Sequence, residues 1–513
     1  MEASVEFYQI FTLCNSLVLA CVLLIATIVW KIGFAPFSFL KNLGIPGPKP
    51  WPFIGNLPIL FKKKHDTYAQ EYLVKTYGRL CGYYRGTRAS ILVADPEMAQ
   101  QILVKEFDKF VNRGVVPLSS HIPPTDKNLI SLQDDDWRRL RHFVTPTFSA
   151  VKLKQVVPLI SESCRILVQQ LGQACKDGKS VDVCRTYVKF TMETIVSTAF
   201  GIDCQTQTNP NDQFLSNAQR YFGKPSPFTI LAVLFPYLQP IISVMVRRLG
   251  LGKQTEIGKS VMFIVDAARQ IIKHRRETGS KGRKDLLEIL LSAETTDDDG
   301  KRKNKLSDDE IVAQCFTFIL AGFQNTSNTM ALTSYLLALN PDKQDRLIEE
   351  IDDVAATVGD NFDYDTVLGM EYLDMMVQEA LRLYPPGFRL GRTCNQSCNI
   401  NGQFFPKGCL VMIPVYAIHR DPEIWPEPEK FQPERFTAEA KQARHPYAYL
   451  PFGEGPRNCI GMRFALLKVK MALVYILRHY RLERCPETEV PLQLQGFISM
   501  SPKHGMHLRI TKR

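Results

Sequence analysis

The sequence predicts a mainly α-helical protein with a minor β part, carried on a single N-terminal transmembrane helix. Three observations predict this class. Phe7 to Trp30 runs 24 residues without a charge. Four later stretches, Leu153–Cys175, Ser260–Arg275, Asp308–Leu339 and Phe464–His479, place apolar residues at helical spacing. The β-like pieces are short, near Ile91–Val93 and Cys398–Phe405. No repeat is found and no later stretch reads as a linker. The 513 residues are therefore expected to divide into an anchor (1–30), a proline-rich linker (31–53) and one body (54–513).

Taken in order, the Phe7–Trp30 run is long enough, at 1.5 Å per residue, to cross a bilayer core of about 30 Å. The rival is a cleaved signal peptide. Glu2 and Glu6 stand where such a peptide carries Lys or Arg, and the apolar run exceeds the usual length. The first basic residues, Lys31 and Lys41, follow the span, so the positive-inside rule places the body in the cytoplasm. Gly44-Ile-Pro-Gly-Pro-Lys-Pro-Trp-Pro52 has its φ angles fixed by proline and reads as a stiff, extended connector. A second apolar stretch, Phe228–Val246, is broken by Pro236 and Pro240 and makes a poor spanning helix. It reads either as a surface dip into lipid near a substrate entrance or as two short core helices. Asp203–Asp212 and Glu294–Lys305 read as polar loops.

Apolar residues make up 45% of the chain and charged residues 22%, a globular composition. The 13 cysteines are odd in number, with no CxxC pair and no zinc spacing, which argues for reduced thiols. The formal charge of +11 is not gathered in a basic block, and no nucleic-acid module is present. Nucleic acid is therefore excluded as the expected partner; a basic face for an acidic protein or an anionic membrane fits better.

The chemistry concentrates in Pro451-Phe-Gly-Glu-Gly-Pro-Arg-Asn-Cys-Ile-Gly461. Its glycines allow positive φ and close backbone approach, so the loop can wrap a sulfur with N–H groups. The helix that follows brings a positive dipole end near Cys459, which is expected to lower the thiol pKa. Arg457 can pair with a carboxylate of a cofactor. Here the sequence resembles the cytochrome P450 superfamily, whose heme-binding signature F-G-x-G-P-R-x-C-x-G is matched from Phe452 to Gly461.

The resemblance implies a large helical domain with a smaller β-rich one, heme b as cofactor and Cys459 as axial ligand of its iron, with Phe452 and Arg457 beside it. Trp137 and Arg141 match the superfamily's W-x-x-x-R helix, which implies hydrogen bonding to a heme propionate. Arg392 and Arg113 are further propionate candidates. Glu379-x-x-Arg382 and Pro433-Glu-Arg-Phe436 imply a buried structural network of Glu379, Arg382 and Arg435. Tyr364-Asp-Thr-Val-Leu and Pro456–Ala465 look like the vertebrate drug- and steroid-oxidising family three, subfamily A. Arg435–Lys441 and Cys485–Leu494 look like thromboxane-A synthase.

The resemblance breaks at Ala321-Gly-Phe-Gln-Asn-Thr-Ser327, where the superfamily carries A/G-G-x-D/E-T-T/S on its oxygen side. Ala321 and Gly322 are expected to leave room for a ligand. Gln324 replaces the acid and Asn325 the alcohol. Amides hydrogen-bond well but relay protons poorly. Thr326 is turned by about 100° and serves only if the helix bulges. Two readings follow: Gln324 and Asn325 hold water in an altered relay, or oxygen activation is lost and a peroxide is rearranged without electrons. Against the second, Glu294–Lys305 lacks the long insertion of thromboxane-A synthase.

The leading function implied is NADPH- and dioxygen-dependent monooxygenation of a lipophilic substrate (steroid, fatty acid or xenobiotic) at the endoplasmic reticulum membrane. Electrons are expected from NADPH–cytochrome P450 reductase, with cytochrome b5 as a further partner, on a basic face including Arg138, Lys468 and Lys470. The alternative is redox-partner-free isomerisation of a prostaglandin endoperoxide, and the third is a heme binder without turnover. Specificity is expected from scattered apolar residues near Phe323 and Phe388.

Overall fold

The computed structural model describes residues 2–114, 122–202, 204–209, 211–223, 227–235, 238–279, 285–292, 294–296, 303–496 and 499–513. Its first element is one helix, Glu2–Gly33. From Leu13 to Trp30 the large apolar side chains of this helix are exposed, because almost nothing packs on it. Among the described residues it is the one helix long and apolar enough to cross a membrane.

The connector is not a free linker. Gly82 donates its N–H to Pro46 O at 2.8 Å, and a Cβ on Gly47 would lie 2.1 Å from Gly82 O. Asn56 Nδ2 reaches Pro48 O and Lys49 O at 3.3 and 3.2 Å. Leu40 and Ile45 are buried in the β-rich core, and Leu40 N–H donates to the Tyr84 hydroxyl at 3.0 Å. The expected boundary at residue 53 is thus crossed by packing and backbone hydrogen bonds. The stiffness comes from docking as well as from proline.

The largest sheet has four strands in the order Leu80–Arg85, Arg88–Val93, Leu410–Ile413, Leu390–Thr393. The first two strands form a hairpin, Ile91 pairs in parallel with Val411, and Arg392 pairs antiparallel with Val411. This pairing brings Arg392 inward from an edge strand. A separate hairpin joins Cys398–Ile400 to Gln403–Phe405 through Asn401-Gly402, both at positive φ, the residues that a tight two-residue turn favours.

The helical body is organised around Asp308–Leu339, 32 residues long and buried along nearly all its length. Its start is fixed by a capping box between Ser307 and Glu310. A helix apolar on all sides belongs in a core, and Val183–Phe200, Ala150–Lys176, Glu256–Thr278 and Met462–Leu477 bury their own apolar residues in the same core. The expected helical stretches all appear. Val183–Phe200, which sequence periodicity did not single out, is buried around nearly its whole circumference and so has no apolar stripe to read.

Phe228–Val246 forms two short helices, Pro227–Leu234 and Gln239–Arg248; Pro236 lies outside the described residues. Ile230 is 47% and Ile241 58% exposed, and Val244 and Leu249 also face outward, while Ile242 and Val246 point in. These are surface helices, not core helices. The expected polar loops lie partly outside the described residues, at Asp203, Pro210 and 297–302. Within the second loop, Glu294–Thr296 pairs with Lys303–Lys305.

Candidate active site

The loop Pro451–Gly461 takes its shape from two positive-φ glycines, Gly453 and Gly455. A Cβ at Gly455 would lie 2.0 Å from Leu103 O, so only glycine fits there. Cys459 N–H bonds Phe452 O at 2.9 Å and closes the loop over the half-buried Phe452. Cys459 is surrounded by protein, yet its surface is accessible, the combination produced by a thiol facing an internal void. Burial pushes the thiol pKa up. The Gly461 N–H and the guanidiniums of Arg113 and Arg141 pull it down without winning. The expected lowering by the following helix is therefore outweighed by desolvation in the protein alone; a bound metal cation would oppose that desolvation.

Four arginines act on one another here, and two of them, Arg113 and Arg141, also act on the thiol. Arg141 donates to Asn458 O at 3.1 Å and Asn458 Oδ1 at 2.9 Å, bracing the residue before Cys459. Arg457 is buried against Trp137, 4.7 Å from the ring centroid, and donates to Val111 O at 2.6 Å and Leu132 O at 2.5 Å. Arg392 donates to Gly391 O at 2.9 Å. The Nε atoms of Arg113, Arg392 and Arg457 are buried without a partner.

Burial and mutual repulsion push Arg392 down to about 9 and Arg457 down to about 8, and lower Arg113 by burial. Among the described residues none of the four is ion-paired to a carboxylate, and Asp134 is the lone acid that acts on Arg457. Buried guanidiniums without counter-charges are strongly disfavoured. An anionic group with carboxylates, held beside a thiol that opens inward, fits this set. Heme, with an iron for the sulfur and two propionates for the arginines, meets both demands.

On the central helix Ala321 is exposed, although its neighbours along the helix are mostly buried, so it too opens to an internal space. Asn325, one turn on, shares its face and is partly accessible. Its amide makes no hydrogen bond among the described residues.

Gly322 does not leave room for a ligand as expected. It is pressed against Ile195, where a Cβ would lie 2.8 Å from that side chain. The helix is α throughout, without the bulge that would turn Thr326 inward, and Thr326 is buried. Gln324 donates to Asn328 Oδ1 at 3.0 Å, and Asn328 donates to Met500 O at 2.7 Å. Asn328 was missed by the sequence reading, although its position four residues after Gln324 on one helix is a readable signal. Phe323 and Phe388 are fully buried, packed edge-on to Phe222 and His65, and do not line an open pocket.

Glu379 and Arg382, both 0% exposed, pair through 2.7 and 2.8 Å bonds. Arg382 also donates to His419 O, Pro428 O and Lys430 O. Arg435 Nε stands 3.5 Å from Glu379, and Gln432 N–H donates to the same carboxylate at 2.9 Å. Of the expected basic docking residues, only Arg138 is at the surface, held by Asp108 and Asp135. Lys468 and Lys470 are buried, the latter paired with Asp374 at 2.7 Å. Their helix is enclosed on all sides from Leu467 to Leu477, which leaves no face for a partner.

Comparison with known proteins agrees with this geometry. The cytochrome P450 family model matches residues 45–509. Cytochrome P450 3A29 of Sus scrofa is 38% identical over 493 residues, covering 95% of each chain. Cytochrome P450 3A7 of Homo sapiens is 39% identical over 472 residues, 91% of each. Thromboxane-A synthase of Sus scrofa is 36% identical over 522 residues, 96% of each. A family match over most of the chain, relatives aligned along nearly their whole length, and a thiol set among buried arginines lead to one conclusion: the chain belongs to the cytochrome P450 family, whose cofactor is heme b.

Proposed function

We propose that this protein is a monooxygenase that uses NADPH-derived electrons and dioxygen to oxidise a lipophilic substrate at the endoplasmic reticulum membrane. The observation that carries this reading is the Ala321–Asn325 face, which is accessible within a buried helix and carries an amide that has no hydrogen bond among the described residues and is able to hold water. When bound, heme supplies a redox-active iron whose thiolate ligand favours O–O cleavage. Cys459 is the residue that would ligate it, and Arg113, Arg141, Arg392 and Arg457, with Trp137, would hold its propionate side.

Arg113 and Arg141 bias the sulfur toward its charged form. Ala321 would line the space beside the cofactor with a small, uncharged side chain. Asn325 would hold an ordered water and orient a proton donor at the reacting oxygen, while Gln324 is engaged with Asn328 and fixes the backbone. Glu379, Arg382 and Arg435 lock the fold without touching substrate. The Glu2–Gly33 helix would anchor the chain, and the exposed faces of Pro227–Leu234 and Gln239–Arg248 would rest on lipid. NADPH–cytochrome P450 reductase, assisted by cytochrome b5, would deliver electrons to the face bearing Arg138.

A second reading, isomerisation of a prostaglandin endoperoxide without a redox partner, is favoured by one observation. No carboxylate or hydroxyl stands at positions 324 and 325, and Thr326 is buried. The test is to incubate purified heme-loaded protein with a prostaglandin endoperoxide without reductase, then with a steroid and fatty-acid panel plus reductase and NADPH. Product requiring reductase supports monooxygenation. Rapid rearrangement of the endoperoxide without it overturns that reading.

A further inference from the structure

Lys468 is 0% exposed, in the middle of the Met462–Leu477 helix. Its Nζ donates to Gly322 O on the central helix at 2.9 Å and lies 4.5 Å from the Phe464 ring centroid. Among the described residues it has no carboxylate partner. Gly322 stands between Ala321, which opens to the interior, and Phe323, whose carbonyl is 3.0 Å from the Thr191 hydroxyl. With Ile195 against Gly322, the Ala321–Asn325 turn is gripped by Val183–Phe200 and, through Lys468, by the helix that starts just after Cys459.

We infer that Lys468 is a positioning residue, tying the Gly322 carbonyl to the cysteine-bearing side so that Ala321 and Asn325 are held at a fixed height beside the cofactor. A buried lysine without a counter-charge is a costly way to fill an apolar core position, where leucine or methionine would pack without the penalty. What the lysine adds is a strong, directional donor to one carbonyl.

The tie is also charge-dependent. Burial alone lowers Lys468 to about 7, so it loses its proton near neutrality and becomes a weaker donor as pH rises. Several charges on the packed elements are engaged elsewhere, Lys470 with Asp374, Glu379 with Arg382, Arg165 with Glu162, and Glu193 with Gln207, and the same helices also carry Arg463, Arg185 and Lys189. The central helix has no charged residue from Ile311 to Leu339. None of these groups acts on Lys468. The inference rests on the heme-thiolate site and not on the choice between monooxygenase and isomerase.

The test uses the full-length, heme-loaded protein in lipid nanodiscs, as parent, Lys468→Met and Lys468→Gln. The ferric absorbance spectrum is recorded across neutral pH, together with hydrogen exchange of the backbone amides at 321–326. The parent should show a spectral transition with a midpoint near 7. Lys468→Met should lose that transition and exchange these amides about tenfold faster. Lys468→Gln, which keeps a neutral donor, should lose the transition but retain slow exchange. A parent-like transition in either variant overturns the inference, as does a parent without a transition or unchanged exchange in the Met variant. If Lys468→Met does not fold, the Gln transition alone decides. The carbon monoxide band of the reduced protein, recorded in parallel, separates a failed tie from a failed heme-thiolate site.

Discussion

Replacing Glu379 by glutamine removes one negative charge and leaves the shape almost unchanged. Glu379 accepts from Arg382 Nε and Nη2 at 2.7 and 2.8 Å and from Gln432 N–H at 2.9 Å, with no exposure to water. The glutamine oxygen can satisfy one of these donors, and its NH2 group faces a guanidinium. Arg382 keeps three backbone carbonyls but loses its counter-charge in a site that water does not reach. Removing one partner of a buried pair costs about 3–5 kcal/mol, a large part of the 5–15 kcal/mol typical of a folded protein.

Arg435→Ala should cost less, about 1.5–3 kcal/mol, because Arg435 stands 3.5 Å from the carboxylate and is partly exposed. Urea unfolding followed by tryptophan fluorescence suits the question, since Trp425 is fully buried with the Arg382 guanidinium 5.2 Å from its ring. A loss below about 1 kcal/mol for Glu379→Gln, the range of a surface ion pair, would refute the account of this network. So would a larger loss for Arg435→Ala.

The remaining predictions concern the cofactor side, pH and the membrane. Arg392→Met should speed heme transfer to apomyoglobin by roughly tenfold or more, the equivalent of one charged hydrogen bond; an unchanged rate removes Arg392 from the propionate set. Asn325→Thr should raise product formed per NADPH consumed, and an already tight coupling in the parent would refute the altered relay. Because the folded pKa of Lys468 lies near 7 and the unfolded one near 10.5, its burial penalty is full below pH 7 and fades toward pH 10.5. At neutral pH, Lys468→Met should therefore be more stable than the parent by up to ~4 kcal/mol, before the lost Gly322 bond is counted, and the gap should close as pH rises. A gap that widens with pH contradicts this. With residues 2–33 deleted, the protein should still sediment with phospholipid vesicles, and Ile230→Asp with Ile241→Asp should release it.

Much of this was legible in the sequence because it depended on local pattern. Apolar residues at helical spacing mark the central helix to its ends; in the structure Ser307 and Glu310 cap one end and Pro341 opens the next helix after the other. The cysteine loop was legible because its glycines and Cys459 act within eleven residues. What failed depended on partners distant in sequence. Gly322 looked like space for a ligand, but Ile195 occupies that space. Lys468 and Lys470 looked like surface charges because lysine is usually solvated. Yet Phe464, Leu467 and Met471 flank Lys468 on one helix face, a pattern that marks an interior position. The thiol pKa was misjudged because the helix dipole is visible in sequence while desolvation is a property of the whole fold. The proline connector reads as stiff and extended from its sequence, but its docking is not legible there because the strand that holds it, Leu80–Arg85, comes later in the chain.

The central claim is that Cys459 gives a thiolate to heme iron, and the reduced carbon monoxide difference spectrum tests it most directly. The heme-loaded parent should show the band at about 450 nm for which the family is named, and Cys459→Ser should abolish it. A fully loaded parent without that band, or a Cys459→Ser variant that keeps it, would contradict the account.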